Sequence, residues 1–280
     1  MAALQIMKIA WFTDIHLNFV SPDTWRKFVR LIRIAKPDAV LISGDIGEAQ
    51  SVCSYLKDLD SALQIPIYFV LGNHDFYNGS INRVRNTVQE LVSSCQHLTY
   101  LSSNRVVELT EATALVGHDG WADARFGDFN NSGVILNDYL LIQELRPKGL
   151  HGHFGPRPKS ELVIILQRLA AEAATHFESY LNEALNSHEN VIAVTHVPPF
   201  REACWYEGHI SDDDFLPHFS SKVVGDVMAA AMKRHPNKNL TVLCGHTHGS
   251  GTAQILPNLE VLTGGATYGE PAISRIIEIQ

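Results

Sequence analysis

Five short blocks of the chain carry side chains able to bind metal ions: Asp14-Ile-His16, Gly44-Asp45, Gly72-Asn73-His74-Asp75, Thr195-His196 and Gly245-His246-Thr247-His248. Their donors are imidazole nitrogens, carboxylates and one amide oxygen, without sulfur. That set favours Mn, Fe, Zn, Co or Ni over calcium or a thiolate zinc site. In extended chain, residues two apart point to the same side, so Asp14 and His16 can grip one ion, and His246 with His248 can do likewise. The donors are too many for one ion and suit two ions that share a carboxylate bridge. Two ions roughly 3.5–4 Å apart are a common device for in-line displacement at phosphorus. Glycines before Asp45, Asn73 and His246 permit abrupt turns and a close approach of backbone to a bound ion or phosphate. A single Asp or His in such a place is most often a solvated loop residue, and it is the joint placement that carries the metal reading.

Each block falls just past the carboxyl end of an expected strand, the edge where layered α/β folds form their ligand crevices. Apolar runs at 8–13, 38–43 and 66–71 read as buried strands. Between and after them, helical spacing appears at Pro22 to Lys36, with Ser21 placed to cap it, around Val52 to Leu63 and at Arg83 to Ser94. Short strands are expected at 105–109 and 114–116. A loop-rich stretch from Gly117 to Lys159 then precedes the longest helix, about Ser160 to Asn186. The second half repeats the alternation with strands at 191–195 and 240–244 around a helix at 223–234. Gln254 to Leu256, Glu260 to Thr263 and Ser274 to Ile279 are expected to close the chain as hairpin strands. The pattern predicts a single α/β domain over 1–280, two sheet halves with helices outside, and an insertion at about 117–159 over one end.

The blocks D-x-H, G-D, G-N-H-D, H and G-H-x-H, in this order, resemble the calcineurin-like metallophosphoesterase superfamily, and the resemblance spans residues 8 to about 265. It implies a four-layered α/β/β/α sandwich of two mixed β-sheets flanked by helices. It also implies that Asp14, His16 and His248 hold one divalent transition-metal ion (Mn, Fe, Zn or Ni), that Asn73, His196 and His246 hold a second, and that Asp45 bridges them. On that resemblance the chain hydrolyses a small phosphomonoester or phosphodiester through a metal-bridging hydroxide. His74 is then the proton donor to the leaving oxygen or a clamp on the phosphate, with Asp75 orienting its ring. The stretch after His196 must leave the metals along their rim. Arg201, or Arg125 from the loop-rich stretch, is a candidate grip on a phosphate oxygen, and Trp205 or Tyr206 a candidate platform for a flat leaving group.

Other polar groups receive a plainer reading. Asp119, Trp121 and Asp123 shape the loop bordering the crevice, and Asp212 to Asp214 form a solvated charge run. His151 and His153 are surface residues, or at best a lid contact. The net charge of −8, without a basic strip, argues against a nuclease or any bulk nucleic-acid partner. The loops at Gly44 to Gln50 and Leu71 to Asp75 lack the arginines of the protein phosphatase branch. A non-catalytic scaffold of the same fold would be expected to have lost ligands that this chain keeps. The four cysteines are far apart and read as buried apolar filler. Without an apolar run of membrane-spanning length or a signal-like N-terminus, the expected location is the cytoplasm.

Overall fold

The computed structural model describes residues 6–147 and 157–280, so His151 and His153 lie outside the described residues. The first half runs β1 (Met7–Phe12), α1 (Pro22–Ala35), β2 (Ala39–Ser43), α2 (Val52–Leu63), β3 (Ile67–Val70), α3 (Ile81–Val92) and β4 (Leu98–Tyr100). Next come β5 (Val107–Glu108), β6 (Thr113–His118), the short α4 (Asp138–Leu141), the long α5 (Lys159–Ser187) and β7 (Asn190–Thr195). The remainder is a small hairpin of β8 (Trp205–Tyr206) and β9 (His209–Ile210), α6 (Leu216–Phe219), α7 (Lys222–Arg234), β10 (Asn239–Cys244), β11 (Gly251–Leu256), β12 (Leu259–Thr263) and β13 (Arg275–Ile279). At α1 the Ser21 hydroxyl accepts from the Thr24 amide at 3.1 Å, and Lys36 closes the helix in a left-handed turn.

Two mixed sheets form, in the orders β13-β1-β2-β3-β4 and β11-β12-β10-β7-β6-β5. The period-two alternation of the strands builds the layers. From the first sheet, Ala10, Phe12, Val40, Ile42, Ile67 and Phe69 pack under α1, α2 and α3, with Phe28, Ile32, Leu56 and Val88 opposite. Their alternates Ile9, Trp11, Ala39, Leu41 and Val70 meet Leu115, Ile192, Val194, Leu243 and Leu262 of the second sheet. The outer face of that sheet, including Ala114, Val191, Ala193 and Val242, is covered by Phe177 and Leu181 of α5 and by Met228 and Met232 of α7. The result is the four-layered α/β/β/α sandwich of two mixed sheets flanked by helices.

Two expectations about elements need correction. β11 and β12 form the antiparallel hairpin, but β13 leaves them and pairs with β1 in the other sheet, Ala10 opposite Ile276. An alternating apolar pattern marks a strand without stating which edge it joins. β4, the β8–β9 hairpin and α4 are too short for periodicity to register. All four cysteines are free, yet only Cys204 and Cys244 are buried, Cys53 and Cys95 being partly exposed.

Candidate metal centre

The five blocks meet at the carboxyl ends of the parallel strands β1, β2, β3, β7 and β10. Backbone bonds stitch the loops together: Asp14 N to Gly44 O at 3.0 Å, His16 N to Asp45 O at 2.9 Å and Gly245 N to His196 O at 2.9 Å. Asp14, His16, Asp45, His246 and His248 all have positive φ, between 39° and 71°. Left-handed backbone costs a non-glycine residue about 1–2 kcal/mol, so the turns persist because the docked sheets over-determine them. The expectation about glycines is sharpened here. A Cβ at Gly72 would collide with the Asp45 carboxylate and one at Gly245 with that of Asp14, so these glycines make room for the carboxylates themselves.

One cluster centres on the Asn73 side-chain oxygen, 2.8 Å from His196 Nε2 and 2.9 Å from His246 Nδ1. The opposite nitrogen of each ring is committed to a carbonyl: His196 Nδ1 to Ser43 at 2.8 Å, and His246 Nε2 to His218 at 3.2 Å. Donating there leaves a lone pair on each inward nitrogen. Three acceptors therefore face one another with no proton between them, which is how a cation's ligands are arranged. The Asn73 amide nitrogen donates to Asp138 Oδ1 at 2.8 Å, and Tyr77 OH donates to the same oxygen at 2.7 Å. Asp138, fully buried at the start of α4, accepts only, so it fixes which end of the amide points inward.

A second cluster holds Asp14, His16, Asp45 and His248, whose ligand atoms all lie within 4.8 Å of one another. His16 Nε2 is 3.2 Å from His248 Nε2, an ordinary spacing for two imidazoles in one coordination shell. His248 Nε2 is 3.4 Å from Asp14 Oδ1. Asp45 faces both clusters. Its Oδ2 is 3.7 Å from His16 Nε2, and its Oδ1 is 3.5 Å from His196 Nε2 and accepts from the His74 amide at 2.8 Å.

Electrostatics agree with a cation site. Burial holds the imidazoles in their neutral, ligating form: His16 and His246 down to about 3, and His196 below its ordinary value. Burial pushes both site carboxyls up. For Asp14 the rings of His196, His248 and His16 outweigh it and hold the group below the usual carboxylate range. Asp45, beside Asp14 and Asp75, is driven well above it. Two adjacent buried carboxylates repel unless positive charge is supplied between them.

His74 lies at the edge of the centre, with Nε2 4.0 Å from Asp45 Oδ2 and its ring stacked on Tyr77 at 4.2 Å. Burial lowers it to about 4. Asp75 does not orient that ring. Its Oδ1 accepts from the amides of Ile46 and Gly47 and its Oδ2 from that of Gly72, while His74 Nδ1 has no hydrogen-bond partner. Asp75 instead pins the loop after β2 to the loop after β3, because a carboxylate at the start of a tight turn is closest to backbone N–H groups.

The side chains of the four candidate substrate contacts are engaged by neighbours within the fold. Arg125 pairs with Asp123 at 3.1 Å, and Arg201 pairs with Asp213. The Trp205 indole lies against Gly251, while Tyr206 stacks on Phe215 at 5.4 Å in a small aromatic core behind His246. Arg201, Trp205 and Tyr206 hold the loop after β7 in place, and Arg125 braces the loop after β6. Asp119 and Asp123 do shape the crevice wall: Asp119 accepts from Leu71 N, Ser102, Arg85 and Tyr100, and Asp123 accepts from Val223 N. Sequence reasoning missed Asp138 and also Tyr268, whose ring sits 4.5 Å from His16 and 5.0 Å from His248. The Asn-Asp pairing has no local spacing to reveal it, and Tyr268 is a lone aromatic in a glycine-rich loop.

The profile of the family described as calcineurin-like phosphoesterase matches residues 7–250. Among curated proteins, the UDP-2,3-diacylglucosamine hydrolase of Blochmanniella pennsylvanica is 29% identical over 123 residues, 39% of this chain and 45% of that protein. The chain thus covers less than half the length of that relative. Among solved structures, the phosphopantetheinyl hydrolase of Mycobacterium tuberculosis has a TM-score of 0.64 at 14% identity over 97% of this chain and 95% of its own. A dimetal phosphatase of Danio rerio has a TM-score of 0.58 at 13% identity, over 94% and 88% respectively. Both likenesses are of fold.

Proposed function

Because the chain belongs to the calcineurin-like phosphoesterase family, we propose that it hydrolyses the phosphoester bond of a small phosphorylated substrate at a centre of two divalent ions. The observation that carries this reading is Asp45, whose two oxygens turn toward His16 on one side and His196 on the other. The residues fit such a centre: nitrogens face inward in each cluster with their outer nitrogens committed at His196 and His246, and among the described residues no Arg or Lys pairs with the buried Asp14 and Asp45 carboxyls. Asp14, His16 and His248 would hold one ion and Asn73, His196 and His246 the other, with Asp45 between them. When bound, two divalent ions polarise a phosphoryl group and lower the pKa of water toward neutrality.

The chain's own residues then position and clamp. Asp138 and Tyr77 hold the Asn73 oxygen inward, and Ser43 and His218 fix the tautomers of His196 and His246. Asp75 locks the Gly47 and Gly72 turns so that Asp45 and Asn73 keep their spacing. Neutral His74 keeps one ring N–H to donate to a phosphoryl oxygen. The negative charge of a bound phosphate raises the basicity of that ring, which suits it to pass a proton to the leaving oxygen.

The test is a substrate panel with Mn, Ni, Fe and Zn, comparing bis-p-nitrophenyl phosphate, p-nitrophenyl phosphate, cyclic nucleotides and nucleotide sugars. Hydrolysis of at least one class is expected, and none with both ions loaded would sink the proposal. His74→Asn should lower kcat about 10²- to 10⁴-fold while both ions stay bound. Unchanged turnover would remove His74 from its role.

A further inference from the structure

Among the described residues, Phe19 and Tyr268 are the aromatic side chains left largely in solvent, 54% and 48% exposed, and they touch each other. Their ring centroids are 5.0 Å apart at an interplanar angle of 67°. Tyr268 lies 4.5 Å from His16, 5.0 Å from His248 and 6.2 Å from His74, and Phe19 lies 6.2 Å from His16. Exposed aromatic rings are ordinarily scattered, and a touching pair at the mouth of a ligand cluster suggests a binding surface.

Neither ring hangs free. Phe19 ends a tight turn in which its amide donates to His16 O at 2.9 Å. The Tyr268 loop is tied by Ala266 N to His248 O at 3.1 Å and by Glu270 N to Thr267 O at 3.1 Å. Gly269 takes a left-handed turn against the Phe19 carbonyl, so the two segments seat on one another. No Arg or Lys among the described residues forms an ion pair with Asp14 or Asp45. The faces of Tyr268 and Phe19 flank His16 and His248, beside carboxylates without an Arg or Lys partner among the described residues.

We propose that Phe19 and Tyr268 form a leaving-group subsite that selects phosphoesters whose alcohol carries a flat aromatic ring, either an aryl group or a nucleobase. This rests on the phosphoesterase reading. His74 is the proposed donor to the leaving oxygen, and the Tyr268 ring borders His74, so the departing group passes under Tyr268. A flat π face stacks there, whereas a saturated ring of the same size forfeits the favourable ring geometry.

The test uses the full chain loaded with Mn and pairs of ligands of which one member carries a flat ring and the other a saturated ring or none. Benzyl phosphate is compared with cyclohexylmethyl phosphate, and adenosine 5′-monophosphate with ribose 5-phosphate, each as monoester and methyl diester. Phenylphosphonate and cyclohexylphosphonate are compared by calorimetry, which reads binding without turnover. The flat member of at least one pair should have a kcat/KM about five- to tenfold higher, mostly through KM, with a matching ratio of Kd for the phosphonates. Phe19→Ala with Tyr268→Ala should erase that ratio at unchanged metal content and melting temperature, and Tyr268→Phe should restore it. Whichever of the two ester pairs shows the ratio identifies the source of the ring. Equal treatment of flat and saturated esters by the unaltered protein, or a ratio that survives the double variant, overturns the subsite and leaves the phosphoesterase reading standing. Phosphonate selectivity without hydrolysis of any ester supports the subsite and overturns the phosphoesterase reading.

Discussion

Replacing Asp138 by alanine is expected to weaken one metal ion and spare the other. Asp138 Oδ1 accepts from the Asn73 amide nitrogen at 2.8 Å and from Tyr77 OH at 2.7 Å, and it touches no other proposed ligand by hydrogen bond. Without it, the amide can rotate half a turn and present NH₂ where an oxygen is required. A hydrogen bond to a charged group contributes about 1.5–3 kcal/mol. Partners that orient a metal ligand typically carry about 10- to 100-fold in affinity, or roughly 1.4–2.7 kcal/mol, so the two estimates agree. Titration of the metal-free protein should thus show the Kd of one ion raised about 10- to 100-fold and that of the other unchanged. After dialysis, bound metal should fall from two ions per chain toward one. Asp138→Asn, which keeps an accepting oxygen, should lose less than about tenfold. Because Asp138 is buried, the melting temperature of each variant is measured alongside. Wild-type affinity at both ions, or equal loss of both, would refute the reasoning.

Two further outcomes follow from the site. Gly245→Ala forces a Cβ into the Asp14 carboxylate and should lower affinity for the His16–His248 ion at least tenfold, read by metal content with the fold checked by circular dichroism. The metal-free protein should melt lower at pH 5 than at pH 7.5. His16, His118 and His246 are held to about 3, and His74, His176 and His218 to about 4, each chiefly by burial. Between about pH 4 and 6.5 the unfolded chain therefore binds more protons at these groups than the folded one, and stability rises with pH. Asp45, Asp75 and Asp138, raised by burial, act in the opposite sense but are fewer. A melting temperature that rises on acidification would contradict this balance.

The meeting of the five blocks was legible because each is tied to a strand end by a short motif, so five blocks in order already imply convergence. Two sheet halves with helices outside were legible from apolar strands alternating with helical stripes, and the four-layered stacking followed from the family resemblance. What escaped lies in interactions without a period. Asp138 sits in a four-residue helix far in sequence from Asn73, and β13 carries a strand pattern that names no partner. Asp75 was misassigned because a neighbour in sequence suggested itself for His74, whereas the turn aims its carboxylate at three backbone amides. Arg201, Trp205 and Tyr206 follow His196 in sequence, which places them near the rim without stating where their side chains turn. Their loop folds on itself, and the exposed rings are supplied by two segments that come together only in the folded chain.

The pairing of β13 with β1 has a consequence for biosynthesis. β1 carries Asp14 and His16 just beyond its end, and its outer edge is covered by a strand near the opposite end of the chain. At roughly 5–20 residues per second, the ribosome would take on the order of ten to fifty seconds to deliver that cover. Through this interval the apolar Ile9 and Trp11 strand shows an open edge, a template for pairing with other nascent chains. Chaperone dependence and inclusion-body formation should therefore respond more to substitutions in β13 than to changes in the ligands.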